Sequence, residues 1–157
     1  MNPPNQARVR RATPADAEAL ARLRYEFRAP RADAVERESA FRERCAAWCR
    51  TAVADENVWR AWVLDDDGEL LGNVWLQIVQ KLPNPGRESE RHGYLTNFFV
   101  AEASRGQGSG SRMLAALLQD CVELGVDNIF LWPTEQSRPF YGRHGFHPGT
   151  NLMILER

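Results

Sequence analysis

A single mixed α/β domain spanning residues 1–157 is expected from two observations in this sequence. First, apolar runs at residues 58–64 and 69–80 are joined by Asp-Asp-Asp-Gly, which predicts an antiparallel hairpin. Second, apolar strands at residues 94–100 and 126–132 enclose a helical pattern, which predicts a parallel pair joined by a right-handed crossover. The sheet should therefore be mostly antiparallel, with one parallel pair.

The amino-terminal part predicts a short strand and two helices. Residues 8–11 form the strand, and Thr13-Pro14-Ala15-Asp16 has the cap, first-turn proline and acidic third residue of a helix start. Residues 33–54 predict a second helix with an apolar stripe that packs in the core. The residues of this stripe are Phe41, Cys45, Trp48, Cys49 and Ala52.

The carboxyl-terminal part predicts two more helices and a strand. One helix begins near Arg112 and stops at Gly125, where glycine suits a left-handed helix end. A short helix follows at residues 137–144, and residues 146–155 predict a final strand.

Composition limits the partners that this protein can have. The chain carries 20 Lys and Arg against 21 Asp and Glu, and its basic residues are dispersed, which argues against nucleic acid. No apolar run approaches the roughly 20 residues of a membrane span, and the first ten residues lack the apolar segment of a secretory signal. We expect a soluble, cytoplasmic protein with no nucleic-acid or membrane partner.

The cysteines predict no metal site. Cys45 and Cys49 lie one helical turn apart, but Cys121 and the three histidines offer no further ligands at a recognisable spacing. Reduced, buried thiols are the expected state.

A glycine-rich run lies between the strand at residues 94–100 and the helix that follows it. Its residues are Arg105, Gly106, Gln107, Gly108, Ser109, Gly110 and Ser111. Glycines allow close approach of a ligand to the backbone, and a helix start directs unpaired amides at an anion. The run lacks the lysine of a Walker loop, and Ser111 stands where the dinucleotide fingerprint needs its third glycine. A pyrophosphate site of another kind is therefore predicted.

This run resembles the acetyl-CoA-binding signature of the GNAT superfamily of N-acetyltransferases. That signature consists of Gln or Arg, two residues, Gly, one residue, and then Gly or Ala. Arg105, Gly108 and Gly110 match it in register.

A second segment, roughly thirty residues further on, is also similar to that family. Phe140 and Tyr141 precede Gly145 and Phe146 at the spacing of the family's aromatic pair and Gly-Phe turn. The order of predicted elements resembles the family over most of the chain. Only the tail is short, which leaves open whether the protein is a monomer or a homodimer that completes the sheet with a second subunit.

The resemblance implies a mostly antiparallel sheet with a splayed parallel strand pair and helices on both faces. It also implies acetyl-CoA as cosubstrate, with no metal, and pantetheine bound along the gap between the splayed strands. The implied cofactor-binding residues are Phe98, Phe99, Val100, Arg105, Gly106, Gln107, Gly108, Ser109, Gly110, Ser111, Phe140 and Tyr141.

The implied reaction is direct attack of a primary amine on the thioester in a ternary complex. Tyr141 is the candidate general acid, because a phenol with a pKa near 10 stays protonated at neutral pH and can donate to the departing thiolate. The base stays open between Glu90, His92, Glu135 and water alone.

The acceptor is a primary amine of a small molecule or of a protein, and the alternative function is a noncatalytic acyl-CoA-binding regulatory module. Specificity is expected from residues 28–33, residues 81–92 and the final strand. Four strand tryptophans are expected in the core, although any one of them could line an apolar acceptor pocket. They are Trp59, Trp62, Trp75 and Trp132.

Overall fold

A computed structural model describes residues 7–33, 35–149 and 151–157, and these contain a five-stranded sheet in the order β1-β2-β3-β4-β5. The strands are β1 Arg8–Arg11, β2 Trp59–Asp66, β3 Glu69–Gln80, β4 Arg91–Val100 and β5 Asn128–Phe130. Each of the first three pairings is antiparallel, and β4 pairs with β5 in parallel. The predicted hairpin and the predicted parallel pair are both confirmed.

Four α-helices cover this sheet in the described part of the chain. They are α1 Ala17–Arg28, α2 Glu38–Ala54, α3 Ser109–Leu124 and α4 Arg138–Arg143. Buried residues of α1 and α2 form one apolar core, while α3 packs on the opposite face together with residues of α4. None of these helices is both long enough and apolar enough to cross a membrane.

Strand β2 shows why the sheet needs helices on both sides. Ala61 and Val63 are buried against α1 and α2, whereas Trp62 and Leu64 are buried in the core that contains α3. Alternate residues of a strand point to opposite faces, so a continuous apolar run requires cover on each face.

The helix caps and turns at the ends of helices and strands have the conformations that the sequence predicts. The Asp16 carboxylate accepts a hydrogen bond of 2.7 Å from the Thr13 amide, although a 3₁₀ turn at Pro14–Asp16 precedes the first α-helical residue. The hairpin turn has Asp67 and Gly68 at positive φ, and Gly125 ends α3 at a φ of 65°. These conformations follow from residue type and short-range hydrogen bonding.

Several predicted boundaries are wrong. Helix α2 begins at Glu38 because Arg37 still has extended backbone, with a ψ of 130°; Ala34, inside the predicted helix, lies outside the described residues. Strand β5 has three residues: its start is delayed because the Val126 amide donates to the Cys121 carbonyl of α3, and it ends at Phe130, where its pairing with β4 ends.

The predicted final strand is also wrong. Residues 146–149 and 151–157 contain no strand, and Met153 is 96% exposed; Thr150 lies outside the described residues. Apolar residues alone do not make a strand when no neighbouring strand accepts their backbone hydrogen bonds, and Pro148 removes one donor from this segment.

The core predictions for two tryptophans fail for a related reason. Trp62 and Trp75 are each 3% exposed, as predicted, and Trp59 is half-buried. Trp48 of α2 is 50% exposed, and Trp132, which lies beyond the end of β5, is 58% exposed. Apolar periodicity identifies the inward face of an element and does not show how far the cover extends.

Arg10 on β1 connects three parts of the fold. Its Nε lies 2.6 Å from Asp65 Oδ2, and its Nη1 and Nη2 each lie 2.8 Å from an Asp16 oxygen. The Asp65 carboxylate also accepts the Gly68 amide at 2.7 Å in the hairpin turn. Hydrogen bonds from Arg10 lower the pKa of both the Asp16 and the Asp65 carboxyl. Their contribution to the stability of the folded state is therefore present above the ordinary carboxyl pKa and is lost as the pH falls.

Replacing Arg10 with Met should lower the free energy of unfolding at pH 7 by about 1–3 kcal/mol, because two carboxylates lose a charged partner. The matched control is Arg8→Met, since Arg8 is largely exposed and lies 3.6 Å from Asp65. Urea denaturation of all three proteins measures the effect. The deficit of Arg10→Met should shrink below about pH 4, where carboxyls protonate; an equal deficit at pH 7 and pH 3 would contradict this assignment.

Candidate active site

Strands β4 and β5 separate after a short pairing. Only His92–Tyr94 of β4 pairs with Asn128–Phe130 of β5. The rest of β4, residues 95–100, has no strand partner on that side within the described chain. Backbone groups along this edge are therefore available to a ligand. We call this opening the strand gap.

A β-bulge lies in β4 beside the strand gap. Asn97 and Phe98 together face Val74 of β3, and Asn97 has a φ of +51°. Asparagine tolerates this left-handed conformation better than most residues, and a bulge re-aims the side chains around it. Phe98 consequently packs toward α4, with its ring centroid 5.6 Å from that of Phe140. Asn97 lies on the other side, among residues of α1 and β3.

Asn97 belongs to a polar network beneath the bulge. Its Nδ2 donates to Asn73 Oδ1 at 2.8 Å, and the Trp75 indole donates to the same oxygen at 3.0 Å. Its Oδ1 accepts a bond of 3.0 Å from Arg24 Nη1 of α1. Asn73 is fully buried. The network fixes the bulge and holds a guanidinium on this face of the sheet.

A cavity of about 330 Å³ opens on the same face, between α1, α2 and strands β2 to β4. Its apolar walls include Trp48, Trp59 and Trp75, whose ring centroids lie 5.3 to 6.0 Å apart. We call it the tryptophan cavity. It also reaches Thr96 and Asn97, and so it adjoins the strand gap. A larger depression of about 640 Å³ around Glu38 is lined by charged helix residues and does not reach β4.

The glycine-rich run follows β4 and leads into α3. Gly106 and Gly108 have φ values of 75° and 76°, the left-handed region that favours glycine. The amides from Gly106 to Ser111 have no acceptor within the described residues, and the Arg112 amide is the first to bond, to the Gly108 carbonyl at 3.1 Å. A series of unpartnered amides at a helix start is an anion-binding arrangement.

Side chains of the run tie it to its surroundings. Arg105 Nε donates to the Val100 carbonyl at 2.8 Å, and its guanidinium carbon lies 5.8 Å from the Phe99 ring centroid. Gln107 Nε2 contacts the Ala103 carbonyl at 3.3 Å. Arg105 therefore positions the glycine-rich run at the end of the strand gap.

Helix α4 brings the aromatic pair to the same region. Ser111 Oγ and His144 Nε2 lie 3.1 Å apart, and Ser109 is buried, so α4 is held against the start of α3. A Cβ at Gly110 would lie 3.6 Å from the Phe140 ring. The structure thus brings together the glycine-rich run, the end of β4 and the predicted aromatic residues.

Tyr141 lies among aromatic rings of this cluster. Its centroid is 6.4 Å from Phe98, 5.2 Å from Phe140 and 5.6 Å from Phe146. Burial raises the pKa of Tyr141 to about 12. Its hydroxyl makes no hydrogen bond to the described part of the protein, and so remains available to a ligand.

The candidate bases lie elsewhere. Glu90 accepts Lys81 Nζ at 2.5 Å and Asn84 Nδ2 at 2.8 Å, and the bond from Lys81 lowers the pKa of Glu90. His92 lies in the paired section of β4, and the Glu135 side chain is 88% exposed. None of the three lines the tryptophan cavity.

The sequence analysis allowed a strand tryptophan to line an acceptor pocket, and Trp59 and Trp75 do line the tryptophan cavity. No residue from 28–33 or 81–92 lines it. Arg24 and Thr96 do, and Cys45, expected as a core residue, is a half-buried wall residue. A further signal in the sequence is Arg24, which lies four residues after Leu20 on the apolar face of α1, where a charged residue is unusual.

Within the described residues, no cluster of three or more His, Cys, Asp or Glu side chains is placed to hold a metal ion. All three cysteines are free thiols.

Comparisons with known proteins agree with this geometry. Residues 20–146 match the family model described as the acetyltransferase (GNAT) family. A GCN5-related N-acetyltransferase from Ralstonia eutropha JMP134 is similar at 25% identity and a TM-score of 0.73, over 95% of this chain and 97% of that one. No curated protein sequence matches the chain significantly.

Two more distant structures share the fold. A predicted acetyltransferase from Clostridium acetobutylicum, solved with acetyl-CoA, has 21% identity and a TM-score of 0.75 over 95% of each chain. Glucosamine-6-phosphate N-acetyltransferase from Arabidopsis thaliana has 14% identity and a TM-score of 0.69, over 95% of this chain and 97% of that one.

The raised pKa of Tyr141 predicts that its phenol ionises at a higher pH than an ordinary tyrosine. The protein has three tyrosines, so ultraviolet titration of the wild type minus Tyr141→Phe isolates this phenol. We expect it to stay protonated through pH 10, because ionisation would place a charge in an apolar cluster. Circular dichroism at each pH shows the range over which both proteins remain folded. Half-ionisation near pH 10 in the folded protein would contradict the buried position.

Proposed function

The chain belongs to the acetyltransferase (GNAT) family, and we propose that it transfers an acetyl group from acetyl-CoA to a primary amine by direct attack in a ternary complex. The observation that carries this proposal is the series of unpartnered amides from Gly106 to Ser111 at the end of an unpaired strand edge. A diphosphate is the part of coenzyme A that such a series of amides binds.

The glycine-rich run suits the diphosphate in charge and shape. Positive φ at Gly106 and Gly108 turns successive amides toward one side, and the start of α3 adds the positive end of its dipole. The pantetheine arm then follows residues 95–100, where its amides replace the missing strand as hydrogen-bond partners. This path brings the thioester to the bulge at Asn97, next to the tryptophan cavity.

Tyr141 stabilises the leaving thiolate in this proposal. With a pKa of about 12 the phenol is a weak acid, so it donates a hydrogen bond and does not need to transfer its proton fully. The oxyanion of the tetrahedral intermediate is stabilised by a backbone amide near Phe99. The amine proton leaves through water, because the tryptophan cavity has no carboxylate in its lining.

The alternative is a noncatalytic acyl-CoA-binding module. The cavity beside the strand gap favours an enzyme, since a binding module needs the glycine-rich run and does not need an acceptor pocket. Release of free thiol from acetyl-CoA in the presence of an amine panel distinguishes the two. Tight binding of acetyl-CoA without thiol release on any amine would support the module.

Acetyl-CoA binding should depend on Gly108. An alanine at its φ of 76° is strained by about 1–2 kcal/mol, and relief of that strain would turn the amides away from the diphosphate. Calorimetry should show an acetyl-CoA Kd raised about tenfold or more for Gly108→Ala.

Gly110→Ala is the matched control for that change. The added Cβ makes an ordinary contact of 3.6 Å with Phe140, and Gly110 has no positive φ, so the Kd should stay near that of wild type. An equal loss in both variants, or no loss in either, would contradict the assignment of the glycine-rich run.

Tyr141→Phe should lower kcat about 10-fold to 100-fold, the value of one hydrogen bond to a charged group, while the acetyl-CoA Kd stays unchanged. Phenylalanine keeps the packing against Phe98, Phe140 and Phe146, so thermal stability should change little. Single-turnover rates measure the chemical step. An unchanged single-turnover rate would remove Tyr141 from the mechanism.

A further inference from the structure

The tryptophan cavity contains a cation without an acidic partner. Arg24 is half-buried, and its one hydrogen bond to the described part of the chain is to the neutral Asn97 Oδ1. Within the described residues no carboxylate lies within 4.0 Å of this guanidinium, whereas Arg10 and Arg60 are each paired to an aspartate. An arginine remains protonated at neutral pH even when burial disfavours its charge.

The surroundings of Arg24 do not neutralise it. The ionisable groups that influence it are Arg28, Tyr94 and the thiols of Cys45 and Cys49. Burial is the largest effect that lowers the pKa of Arg24, and the charge of Arg28 lowers it further. Cys45 is a thiol whose sulfur contacts Cys49 Sγ at 4.0 Å. A half-buried charge without an acidic partner is costly, so an anionic group on a ligand would be bound favourably here.

The rest of the tryptophan cavity favours a ligand with an apolar surface. Trp48 is 50% exposed although its ring packs on Trp59 and Trp75, so it presents an apolar face to the solvent and to the cavity. A volume of about 330 Å³ is at the lower end of small-molecule sites. The absence of acidic side chains in the lining disfavours polycationic amines.

We propose that the acceptor is a small amine that also carries a carboxylate and an apolar or aromatic side chain, the chemistry of an apolar α-amino acid. Its carboxylate pairs with Arg24, its side chain lies against Trp48 and Trp59, and its amine is directed at the strand gap beside Thr96. The inference rests on the proposed function and adds the substrate class.

The reaction balances without a redox partner. The neutral amine nitrogen forms a bond to the thioester carbonyl carbon, and the C–S bond breaks. The proton of the amine passes to water, and the thiolate of coenzyme A, hydrogen-bonded by Tyr141, takes a proton from water. The products are an N-acetyl amino acid and coenzyme A.

The test compares L-phenylalanine with phenethylamine, which lacks the carboxylate, in wild type and Arg24→Gln. Wild type should acetylate L-phenylalanine with a kcat/KM about 10-fold to 100-fold higher, the range for a charged hydrogen-bonded pair. Arg24→Gln should bring this ratio close to one, mainly through KM. L-phenylalaninamide, whose amine is less basic than that of the amino acid, controls for the fraction of neutral amine.

Arg50→Gln is the matched control variant, because Arg50 is exposed and does not line the cavity; it should keep the wild-type ratio. Arg24→Lys should restore part of the preference. The thermal shift that each amine produces measures its binding without turnover. Calorimetry with acetyl-CoA shows that each variant is folded.

Three results would overturn the inference. Phenethylamine or phenylalaninamide could react as well as L-phenylalanine in wild type, Arg24→Gln could keep the wild-type ratio, or L-phenylalanine could fail both to react and to stabilise the protein more than phenethylamine. Acetylation of amines without a carboxylate would leave the proposed function intact. Failure of wild type to bind acetyl-CoA would remove both.

Discussion

The separation of β4 from β5 determines what the rest of this molecule can bind. A parallel pair that closes along its whole length would satisfy its own backbone groups, but here the pairing ends at Tyr94 and Phe130. The bulge at Asn97 keeps β4 bonded to β3 and brings two consecutive residues, Thr96 and Asn97, to the face of the sheet that carries the tryptophan cavity. One strand edge thereby joins two binding regions, the glycine-rich run beyond Val100 and the tryptophan cavity beside Thr96.

The two regions differ in the chemical groups that they offer to a ligand. At the glycine-rich run, backbone amides lack acceptors within the described residues, and Arg105 holds the run against β4. In the tryptophan cavity, side chains provide the chemistry: an arginine without an acid and aromatic rings on a face open to solvent. Backbone recognition suits a cosubstrate shared across a family of acetyltransferases, and side-chain recognition can differ from one member to another.

Local rules account for most of what the sequence predicts correctly. The turn at Asp67 and Gly68, the helix end at Gly125 and the glycine-rich run each depend on backbone conformations that residue type restricts. The wrong predictions concern contacts between residues that are far apart in the sequence. Whether residues 151–157 pair with a strand, and whether Trp132 is covered, depends on neighbours that no local pattern specifies. The position of the cavity was missed because α1, α2 and β4 contribute one or a few residues each; its signals in the sequence were the strand tryptophans and Arg24 on an apolar helix face.

Hydrogen–deuterium exchange with and without acetyl-CoA tests whether one strand edge and the adjoining amides bind the cosubstrate. Peptides that span residues 95–111 should exchange more slowly when acetyl-CoA is present, since their amides gain acceptors that the protein does not supply. Protection confined to other parts of the chain, or no protection at saturating acetyl-CoA, would contradict the account.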